Sequence, residues 1–307
     1  MTKNNITEIA KDKQKSIFFT LLGCPNAGKS TLINKLVGQK ISIVTPKVQT
    51  TRNRVRGIVI EKEVQIVITD TPGIFTPKQN LEKSIVKSAW GAVKESDLLA
   101  LVVDVKKGLT PDNVNIIKYI KENNKKAILI LNKIDKIMKD QLLPIAKQIN
   151  GEANFLATFM ISAQNGDGVE GLKQFICSQA ENIPWCFSSD EITDMPIKFW
   201  AAEVVREKLF MNLEEELPYN IAVETESYKE LKRNTIRLDL VIYVSRDSQK
   251  KIILGKNGSL IKEIGILARR ELEKSLDKNV QLFLFVKVKE NWQEKPMLYK
   301  ELGLETP

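Results

Sequence analysis

The stretch "FFTLLGCPNAGKSTLINKLV", residues 18–37, decides the fold expected for the first half of the chain. Two glycines, Gly23 and Gly28, follow the apolar run "FFTLL". Lys29 and Ser30 come next, ahead of an amphipathic run, so the order matches G-x-x-x-x-G-K-[ST] between a strand and a helix. Such a loop points successive backbone N–H groups inward, and the following helix adds its positive N-terminal end. The stretch therefore predicts a phosphate cradle; the alternative is a glycine-rich turn that matches by chance.

A cradle of this kind places two side chains on a triphosphate. Lys29 is expected to reach the β- and γ-phosphates, and the Ser30 hydroxyl is expected to ligate Mg²⁺. The residues predicted to contact the phosphates are Gly23, Cys24, Pro25, Asn26, Ala27, Gly28, Lys29, Ser30 and Thr31, together with Gly73 from a second motif.

The second motif is "DTPG", residues 70–73, which directly follows the apolar run "VQIVIT". Asp70 is expected to hold the Mg²⁺ shell, and the Gly73 amide is expected to bond the γ-phosphate. Alone this tetrapeptide is a common turn, but about 40 residues after a phosphate loop, at a strand end, it predicts a nucleotide site.

Between these motifs lies "TPKVQTTRNRVRG", residues 45–57. A threonine here can cap Mg²⁺ while a γ-phosphate is present and release it after hydrolysis, and Thr51 is favoured over Thr50 for this role. The predicted magnesium ligands are thus Ser30, Thr51 and Asp70. The three arginines of the stretch, Arg52, Arg54 and Arg56, are expected to form a solvated basic strand edge.

The motif "NKID", residues 132–135, selects the base. A carboxylate at Asp135 can accept hydrogen bonds from both N1–H and the 2-amino group of guanine, whereas adenine has neither donor at those positions. An ordinary helix N-terminus capped by Asp135 is the alternative. The tetrapeptide "ISAQ" after the last apolar run adds backbone groups for guanine O6. The predicted guanine-contacting residues are Asn132, Lys133, Asp135, Ser162 and Ala163.

Five continuous apolar runs alternate with helix-like stretches over the first half: "SIFFTLLG", "EVQIVITD", "DLLALVVD", "KAILILNK" and "FLATFMIS". This pattern predicts an α/β domain with a doubly wound, mostly parallel sheet, whose ligands lie at the carboxyl ends of the strands. The predicted organisation is a flexible basic tail over residues 1–15, a nucleotide-binding domain over 16–180, a linker over 181–197 and a second domain over 198–307.

Composition excludes several kinds of chemistry. The chain has no histidine, which excludes histidine general bases, Ser-His-Asp triads and HExxH zinc sites. Its three cysteines lack metal spacing and are expected to be reduced thiols. The formal charge of +9 favours an anionic partner. No apolar run approaches the roughly 18 residues of a spanning helix, and the polar start does not resemble a secretory signal, so a cytosolic protein is expected.

The second half carries a different glycine loop, in "ILGKNGSLIKEIG", residues 253–265. It joins two helical stretches in the order helix, two strands, two helices, strand, which is the order of an α+β type II KH domain. Between Lys229 and Lys289 there are 15 Lys and Arg against 7 Asp and Glu. A KH domain uses such a loop to clamp single-stranded RNA, so RNA binding is expected, with a plain helix–helix turn as the alternative. The predicted RNA-contacting residues are Lys250, Lys251, Gly255, Lys256, Asn257 and Gly258.

The five motifs of the first half resemble a translation-factor-type GTPase domain, and Asn26 with the paired threonines resembles the Era-like subgroup. That resemblance implies a GTP/GDP substrate with Mg²⁺, and K⁺ as an additional activator held in part by Asn26. One position departs from the Ras-type pattern, since Ile74 follows "DTPG" where those enzymes keep a glutamine that orients water. Slow intrinsic hydrolysis that needs K⁺, RNA or a partner is therefore expected.

A GTPase domain followed by a KH domain resembles the Era family of bacterial GTPases, and the likeness runs from about Ser16 to Gly303. The segments "ELPYNIAVE", "SQKKIILGKNG", "IGILARRELE" and "VKVKENW" carry it in the second half. The resemblance implies that the chain binds the 3′ end of small-subunit ribosomal RNA, promoted by GTP, and assists maturation of the small ribosomal subunit. It also implies a monomer with peripheral contact to the cytoplasmic face of the inner membrane.

Two other functions fit parts of the sequence. One is a P-loop phosphotransferase with an RNA-binding tail, against which "NKID" argues because such kinases usually lack a guanine reader. The other is an RNA-binding module whose nucleotide domain is only structural.

Overall fold

The computed structural model describes residues 9–290 and Trp292, which form two compact units. The first unit comprises residues up to Ser42, Thr51–Thr76 and Val86–Asp194. The second comprises Ile43–Thr50, Pro77–Ile85 and the chain from Met195 onward. Of the predicted tail, residues 1–8 lie outside the described residues, as do 291 and 293–307 of the predicted second domain.

The first unit is built on a six-stranded sheet with the strand order β2-β3-β1-β4-β5-β6. Its strands are β1 Lys15–Leu22, β2 Val55–Glu61, β3 Val64–Asp70, β4 Leu98–Asp104, β5 Ala127–Asn132 and β6 Thr158–Ile161. Its helices are α1 Lys29–Val37, α2 Asn80–Ala92 (whose first turns belong to the second unit), α3 Pro111–Glu122, α4 Leu142–Asn150 and α5 Val169–Ser178. All strand pairs are parallel except β2 with β3.

Burial explains why the apolar runs form the middle of this sheet. Every residue of β3, β4 and β5 is buried, as expected for parallel strands with helices on both faces. The predicted doubly wound, mostly parallel fold is confirmed. Strand β2 is the antiparallel edge strand, and it was not among the five predicted apolar runs.

The strand register brings the polar motifs to one edge of the sheet. Leu21, at the end of β1, pairs with Asp70, the last residue of β3. On the other side, Asn132 pairs with both Asp104 and Ile161, so the ends of β4, β5 and β6 are level. Because every motif follows a carboxyl end, this edge is where a ligand is expected.

Much of the predicted linker packs within the first unit, to which residues 181–194 belong. Ser16 and Glu181 exchange backbone hydrogen bonds of 3.0 and 3.2 Å. The side chain of Gln65 accepts from the Cys186 and Phe187 amides at 2.8 and 3.1 Å. Turn signals alone do not distinguish such a packed loop from a free linker. At the other end of the unit, Lys11–Lys13 form a short 3₁₀ turn before β1, within the predicted tail.

The second unit has the order helix, two strands, two helices, strand. Its elements are α6 Ile197–Asn212, β7 Ala222–Leu231, β8 Thr235–Val244, α7 Asp247–Leu254, α8 Ser259–Leu276 and β9 Asn279–Val288. Strand β8 is central, antiparallel to β7 and parallel to β9. This arrangement confirms the predicted type II KH fold. Its core holds the buried faces of α6, α8 and β8 together with Ile43 from the first half of the chain.

The helices of the described residues are short or charged by the standard of a bilayer span. The longest, α8, has 18 residues and carries charged side chains along its length. Within residues 9–290, no helix combines the length and apolar character needed to span a membrane.

Candidate functional site

The first glycine loop closes against the "NKID" motif. Gly28 has a φ of 95°, in the left-handed region, directly before α1 begins at Lys29. A Cβ at Gly28 would lie 2.2 Å from Asn132 Nδ2, so no other residue fits. Glycine is therefore required at position 28 for two reasons, the left-handed backbone conformation and the close approach of the Asn132 side chain.

Lys29 lies inside the loop. Its side chain is 5% exposed, and Nζ donates to the main-chain oxygens of Gly23 at 2.9 Å and Cys24 at 3.1 Å. Burial lowers the pKa of Lys29, and the nearby Asp70 carboxylate opposes that shift. The ammonium is thus held within the ring of loop backbone where a phosphate is expected.

The three predicted magnesium ligands form one hydrogen-bonded cluster. Ser30 Oγ donates to Asp70 Oδ2 at 2.6 Å and lies 2.8 Å from Thr51 Oγ1. Asp70 is fully buried, its Oδ1 has no hydrogen-bond partner among the described residues, and burial raises its pKa while Lys29 lowers it. A carboxylate with a buried unpaired oxygen, beside two hydroxyls, is an oxygen donor set that suits Mg²⁺.

Ser42 joins this cluster, although its sequence context gave no signal. Its Oγ donates to Asp70 Oδ2 at 2.9 Å. Asn34 of α1 accepts from the Ile41 and Ser42 amides, both at 2.9 Å, and so fixes the backbone there. Ser42 therefore adds a second hydroxyl donor to Asp70 Oδ2, beside that of Ser30.

The "DTPG" motif lies beside the first glycine loop. The Ile74 amide donates to the Gly23 oxygen at 3.1 Å, which brings Gly73 next to the loop. The Ile74 side chain is 4% exposed and packs in the core with Leu22 and Ala89. An aliphatic side chain in that core cannot orient a water molecule.

Asn132 links two motifs to the loop. Its Nδ2 donates to the Ala27 oxygen at 2.8 Å, and its Oδ1 accepts from the Ala163 amide at 3.0 Å. Lys133 Nζ donates to the Asn26 oxygen and to Asp104 Oδ2, both at 2.7 Å. Asp104 was not predicted, but its place as the last residue of a buried strand could have identified it.

The contacts of Asp135 favour its ionised form. Ser162 Oγ donates to Asp135 Oδ1 at 2.7 Å, and Lys136 Nζ lies 3.1 Å from Oδ2. The Ser162 hydrogen bond is the main cause that holds the pKa of Asp135 below its ordinary value. The geometry brings "NKID" and "ISAQ" together, as the sequence analysis predicted.

The remaining predicted phosphate contacts lie on the same loop and on the first turn of α1. Cys24 is buried, with Sγ 3.3 Å from Thr110 Oγ1 and 3.0 Å from Asn113 Oδ1, and burial raises its pKa. Ala27 is buried, whereas Pro25, Asn26 and Thr31 are half-buried. Asn26 has a left-handed backbone, with a φ of 63°.

The expectation of a solvated basic strand edge is wrong. Arg52 is 5% exposed. Arg54 Nε donates to the Ser88 oxygen at 2.7 Å, and Arg56 pairs with Glu95 at 2.6 Å and Asp194 at 3.2 Å. Arg54 and Arg56 have acceptors supplied by distant parts of the chain, which the local sequence does not reveal.

The second glycine loop connects α7 to α8 in the other unit. Gly255 has a φ of 70°, and a Cβ there would lie 2.8 Å from Leu260 Cβ. Asn257 and Gly258 also have positive φ, at 53° and 75°. Around the loop, Lys251, Lys256 and Asn257 are exposed and Lys250 is half-buried. No side chain caps the N-terminus of α8 at Gly258, so its first N–H groups face the loop.

Two family profiles match the chain. One is described as "50S ribosome-binding GTPase" and matches residues 18–133, and the other is described as "KH domain" and matches residues 216–293. The GTPase profile includes the first glycine loop, and the KH profile includes the second.

Full-length relatives combine both halves. GTPase Era of Brucella melitensis is 47% identical over 98% of this chain and 96% of its own length. GTPase Era of Agrobacterium fabrum is 50% identical over 95% of this chain and 92% of its own. A crystal structure of Era in complex with MgGDPNP and nucleotides 1506–1542 of 16S ribosomal RNA superposes with a TM-score of 0.90, at 38% identity over 94% of this chain and 99% of that one. The chain therefore belongs to the Era family of GTPases.

Proposed function

We propose that this chain is a GTP-hydrolysing switch that binds the 3′ end of small-subunit ribosomal RNA and assists maturation of the small ribosomal subunit. GTP hydrolysis itself follows from membership of the family. The observation that carries the rest is the pairing of two different loops in one chain. One encloses a buried lysine beside a carboxylate–hydroxyl cluster, and the other is exposed among lysines.

The first loop would hold the nucleotide at both ends. Its backbone amides and Lys29 bind the phosphates, while the Asp135 carboxylate accepts from N1–H and the 2-amino group of guanine. Asn132 bonds both the Ala27 oxygen of the loop and the Ala163 amide, and so fixes their positions beside the proposed site of the base. Lys133, tied to the Asn26 oxygen, lies between the two regions.

Ser30, Thr51 and Asp70 are the residues that would hold Mg²⁺, directly or through its water shell. The ion supplies positive charge against the β- and γ-phosphates. Ser42 keeps Asp70 oriented, and Lys29 adds a second cation at the same phosphates. Asp70 Oδ1 is buried and has no hydrogen-bond partner among the described residues, so a bound cation or its water shell would supply one.

Hydrolysis would be slow without an activator. Water attacks the γ-phosphorus and gives up a proton to the released phosphate or to solvent, while the bond to the β–γ bridging oxygen breaks and GDP leaves with that electron pair. Ile74 cannot orient the water, so K⁺, RNA or a partner must assist. We propose Asn26 as one K⁺ ligand, as the resemblance of this phosphate loop to that of Era-like GTPases implies. Hydrolysis that ran equally fast in Na⁺ and K⁺ would contradict this part of the proposal.

The second loop would clamp the RNA backbone. The glycines permit close approach of a sugar-phosphate chain, the α8 N-terminus attracts phosphate, and Lys250, Lys251 and Lys256 supply charge. The 3′ end of 16S ribosomal RNA is proposed as the target because a relative of 38% identity was crystallised with nucleotides 1506–1542.

Further features follow the family resemblance. We propose a monomer of the cytosol that touches the inner membrane peripherally through charge. Co-sedimentation with vesicles of anionic and of zwitterionic lipid tests that contact, and equal binding to both would contradict it.

The direct test is crosslinking in cells followed by RNA sequencing, comparing the wild type with Gly258→Asp. The proposal predicts crosslinks at the 3′ end of the small-subunit RNA that disappear in the variant. An unchanged crosslink map, or crosslinks spread evenly over cellular RNA, would contradict it.

A further inference from the structure

The segment Ile43–Thr50 belongs to the second compact unit, although the residues on both sides of it belong to the first. Ile43 is 1% exposed and lies in the core cluster that contains Leu209 and Ile221. Ser42 and Thr51, the flanking residues, both contact the proposed magnesium cluster. Eight consecutive residues therefore belong to the second unit, while the residues covalently joined to both of their ends, Ser42 and Thr51, belong to the first.

Helix α6 holds this segment by hydrogen bonds along its length. The Val44 amide donates to Glu207 Oε1 at 2.9 Å. Lys47 Nζ donates to the Leu213 oxygen just past the end of the helix. Arg206 Nη2 donates to the Thr50 oxygen at 2.6 Å. The start, the middle and the end of the segment each have an anchor.

Arg206 is the most buried of the cations among these anchors. It is 3% exposed, forms two hydrogen bonds to Glu203 at 2.7 and 2.5 Å, and lies over the Phe210 ring at 5.2 Å. Its Nη1 is buried without a hydrogen-bond partner among the described residues. Buried ion pairs seldom add stability over apolar side chains of similar size, so fold stability alone does not account for this one.

The contact with Thr50 has a direct geometric consequence. The Thr50 oxygen belongs to the peptide group whose nitrogen is that of Thr51, and a peptide group is planar. A hydrogen bond to that oxygen restrains the orientation of the peptide plane, and this plane contains the Thr51 Cα that carries the side chain. Thr51 Oγ1 in turn lies 2.8 Å from Ser30 Oγ.

We propose that Arg206, held in place by Glu203, is a positioning residue that sets Thr51 for the nucleotide-bound magnesium site. A residue of the KH-domain unit thereby controls how well the chain distinguishes GTP from GDP. This inference rests on the proposed roles of Ser30, Thr51 and Asp70. A purely structural role for the ion pair, within α6, is the alternative, since Glu203 and Arg206 are three residues apart on one helix.

Affinities for a non-hydrolysable GTP analogue and for GDP, measured with fluorescent nucleotides in excess Mg²⁺, separate the two roles. The variant is Arg206→Met combined with Glu203→Met, which replaces the buried pair with apolar side chains and spares the fold. Thr51 is proposed to cap Mg²⁺ only while a γ-phosphate is present. The affinity for the GTP analogue should therefore fall about tenfold, the worth of a charged hydrogen bond, while the affinity for GDP stays within about twofold.

A matched control replaces a second short-range pair of an arginine and a carboxylate in the same unit, with Arg237→Met and Asp239→Leu. That pair lies on β8 with an Nε–Oδ1 distance of 3.1 Å, and its hydrogen bonds in the described part of the chain do not involve residues 43–50. Both affinities should remain unchanged in it. Equal losses of analogue and GDP affinity in the Arg206 variant, or no loss of either, would overturn the inference.

Thr51→Ala in the same assay distinguishes failure of this inference from failure of the proposed site. If Thr51→Ala leaves the preference for the analogue intact, the proposed magnesium role of Thr51 fails. If Thr51→Ala lowers the preference and the Arg206 variant does not, only the positioning role fails. Combining both changes should lower analogue affinity no further than Thr51→Ala alone, because both act through one contact.

Discussion

The two glycine loops of this chain differ in how strongly the rest of the protein determines them. The loop at residues 23–30 is packed against Asn132 and Ile74, encloses a buried lysine and has side-chain contacts from several strands. The loop at residues 255–258 is bounded by two helices and exposes most of its side chains. The first is a preformed socket for a compact ligand, and the second is an open clamp.

Because of this difference, substitutions in the two loops should have different consequences. A change in the first loop disturbs buried charge, and its partners cannot rearrange without cost. A change in the second loop alters the charge and shape of a surface while the helices remain. Variants of the first should therefore lose binding most severely, and variants of the second should lose one function cleanly.

The largest expected effect is from Lys29→Ala. Removing the buried ammonium eliminates two charged contacts to phosphate, each worth roughly 1.5–3 kcal/mol, so GTP and GDP affinity should fall by about a hundredfold or more. Calorimetry with Mg²⁺ present measures this. Lys35→Ala, an exposed lysine on the same helix, is the control and should bind normally. Equal affinities of the two variants would remove the basis for calling the first loop a preformed socket.

The second effect is from Gly258→Asp. The site has open space and a φ of 75°, which Asp and Asn tolerate better than other side chains. A carboxylate there repels phosphate, so RNA affinity should fall at least about tenfold further than in Gly258→Asn, with GTP hydrolysis without RNA unchanged. Fluorescence anisotropy with an RNA of the 3′-end sequence, at fixed salt, measures it. If Asp and Asn variants bound RNA alike, the open-clamp description would be wrong.

A smaller effect is expected from Ser42→Ala. The change removes one hydrogen bond to Asp70 and leaves Ser30 and Thr51 in place, so Mg²⁺-dependent GTP affinity should fall by roughly three- to tenfold. Titrating Mg²⁺ at constant nucleotide measures the shift. Thr158→Ala, whose hydroxyl donates to Asn150 Oδ1 at 3.0 Å and not to Asp70, is a control. No shift in the Mg²⁺ titration would show that Ser42 does not orient the carboxylate.

The smallest expected effect concerns pH. The proposed contact with guanine needs the ionised Asp135, whose pKa the Ser162 hydrogen bond lowers, so the carboxylate persists as pH falls toward the ordinary carboxyl range. The preference for GDP over inosine diphosphate, which lacks the 2-amino group, should be constant from about pH 8 to about pH 5. In Ser162→Ala the preference should begin to fall at a higher pH. A loss of preference between about pH 8 and about pH 6 in the wild type would contradict the assignment of that carboxylate.

The parts of the fold that could be predicted are those with local signals. Buried strands appear as apolar runs, and the motifs follow their ends, so the sheet edge that carries Lys29, Asp70 and Asp135 was predictable. Strand β2 was harder to predict, because Arg56 looks solvated until Glu95 and Asp194 are seen to pair with it. Local sequence shows the charge of a side chain and not its distant partner.

The same reason explains the residues that were missed. Asp104 ends a buried strand, so the rule that located Asp70 could have found it. Ser42 and Arg206 had no such marker, because their importance lies in contacts made across the chain, to Asp70 and to Thr50. Only the tertiary structure brings these pairs together.

The first loop and Asp135 are proposed to hold a guanine nucleotide together, and the variant Asp135→Asn is the most direct test. An asparagine offers an N–H where the carboxylate offered an acceptor, which suits the 2-oxo group of xanthine and not the 2-amino group of guanine. Calorimetry with GDP and xanthosine diphosphate should show a preference for GDP in the wild type and a reversed preference in the variant. A variant that kept its preference for GDP, or a wild type that bound ADP as tightly as GDP, would contradict the account.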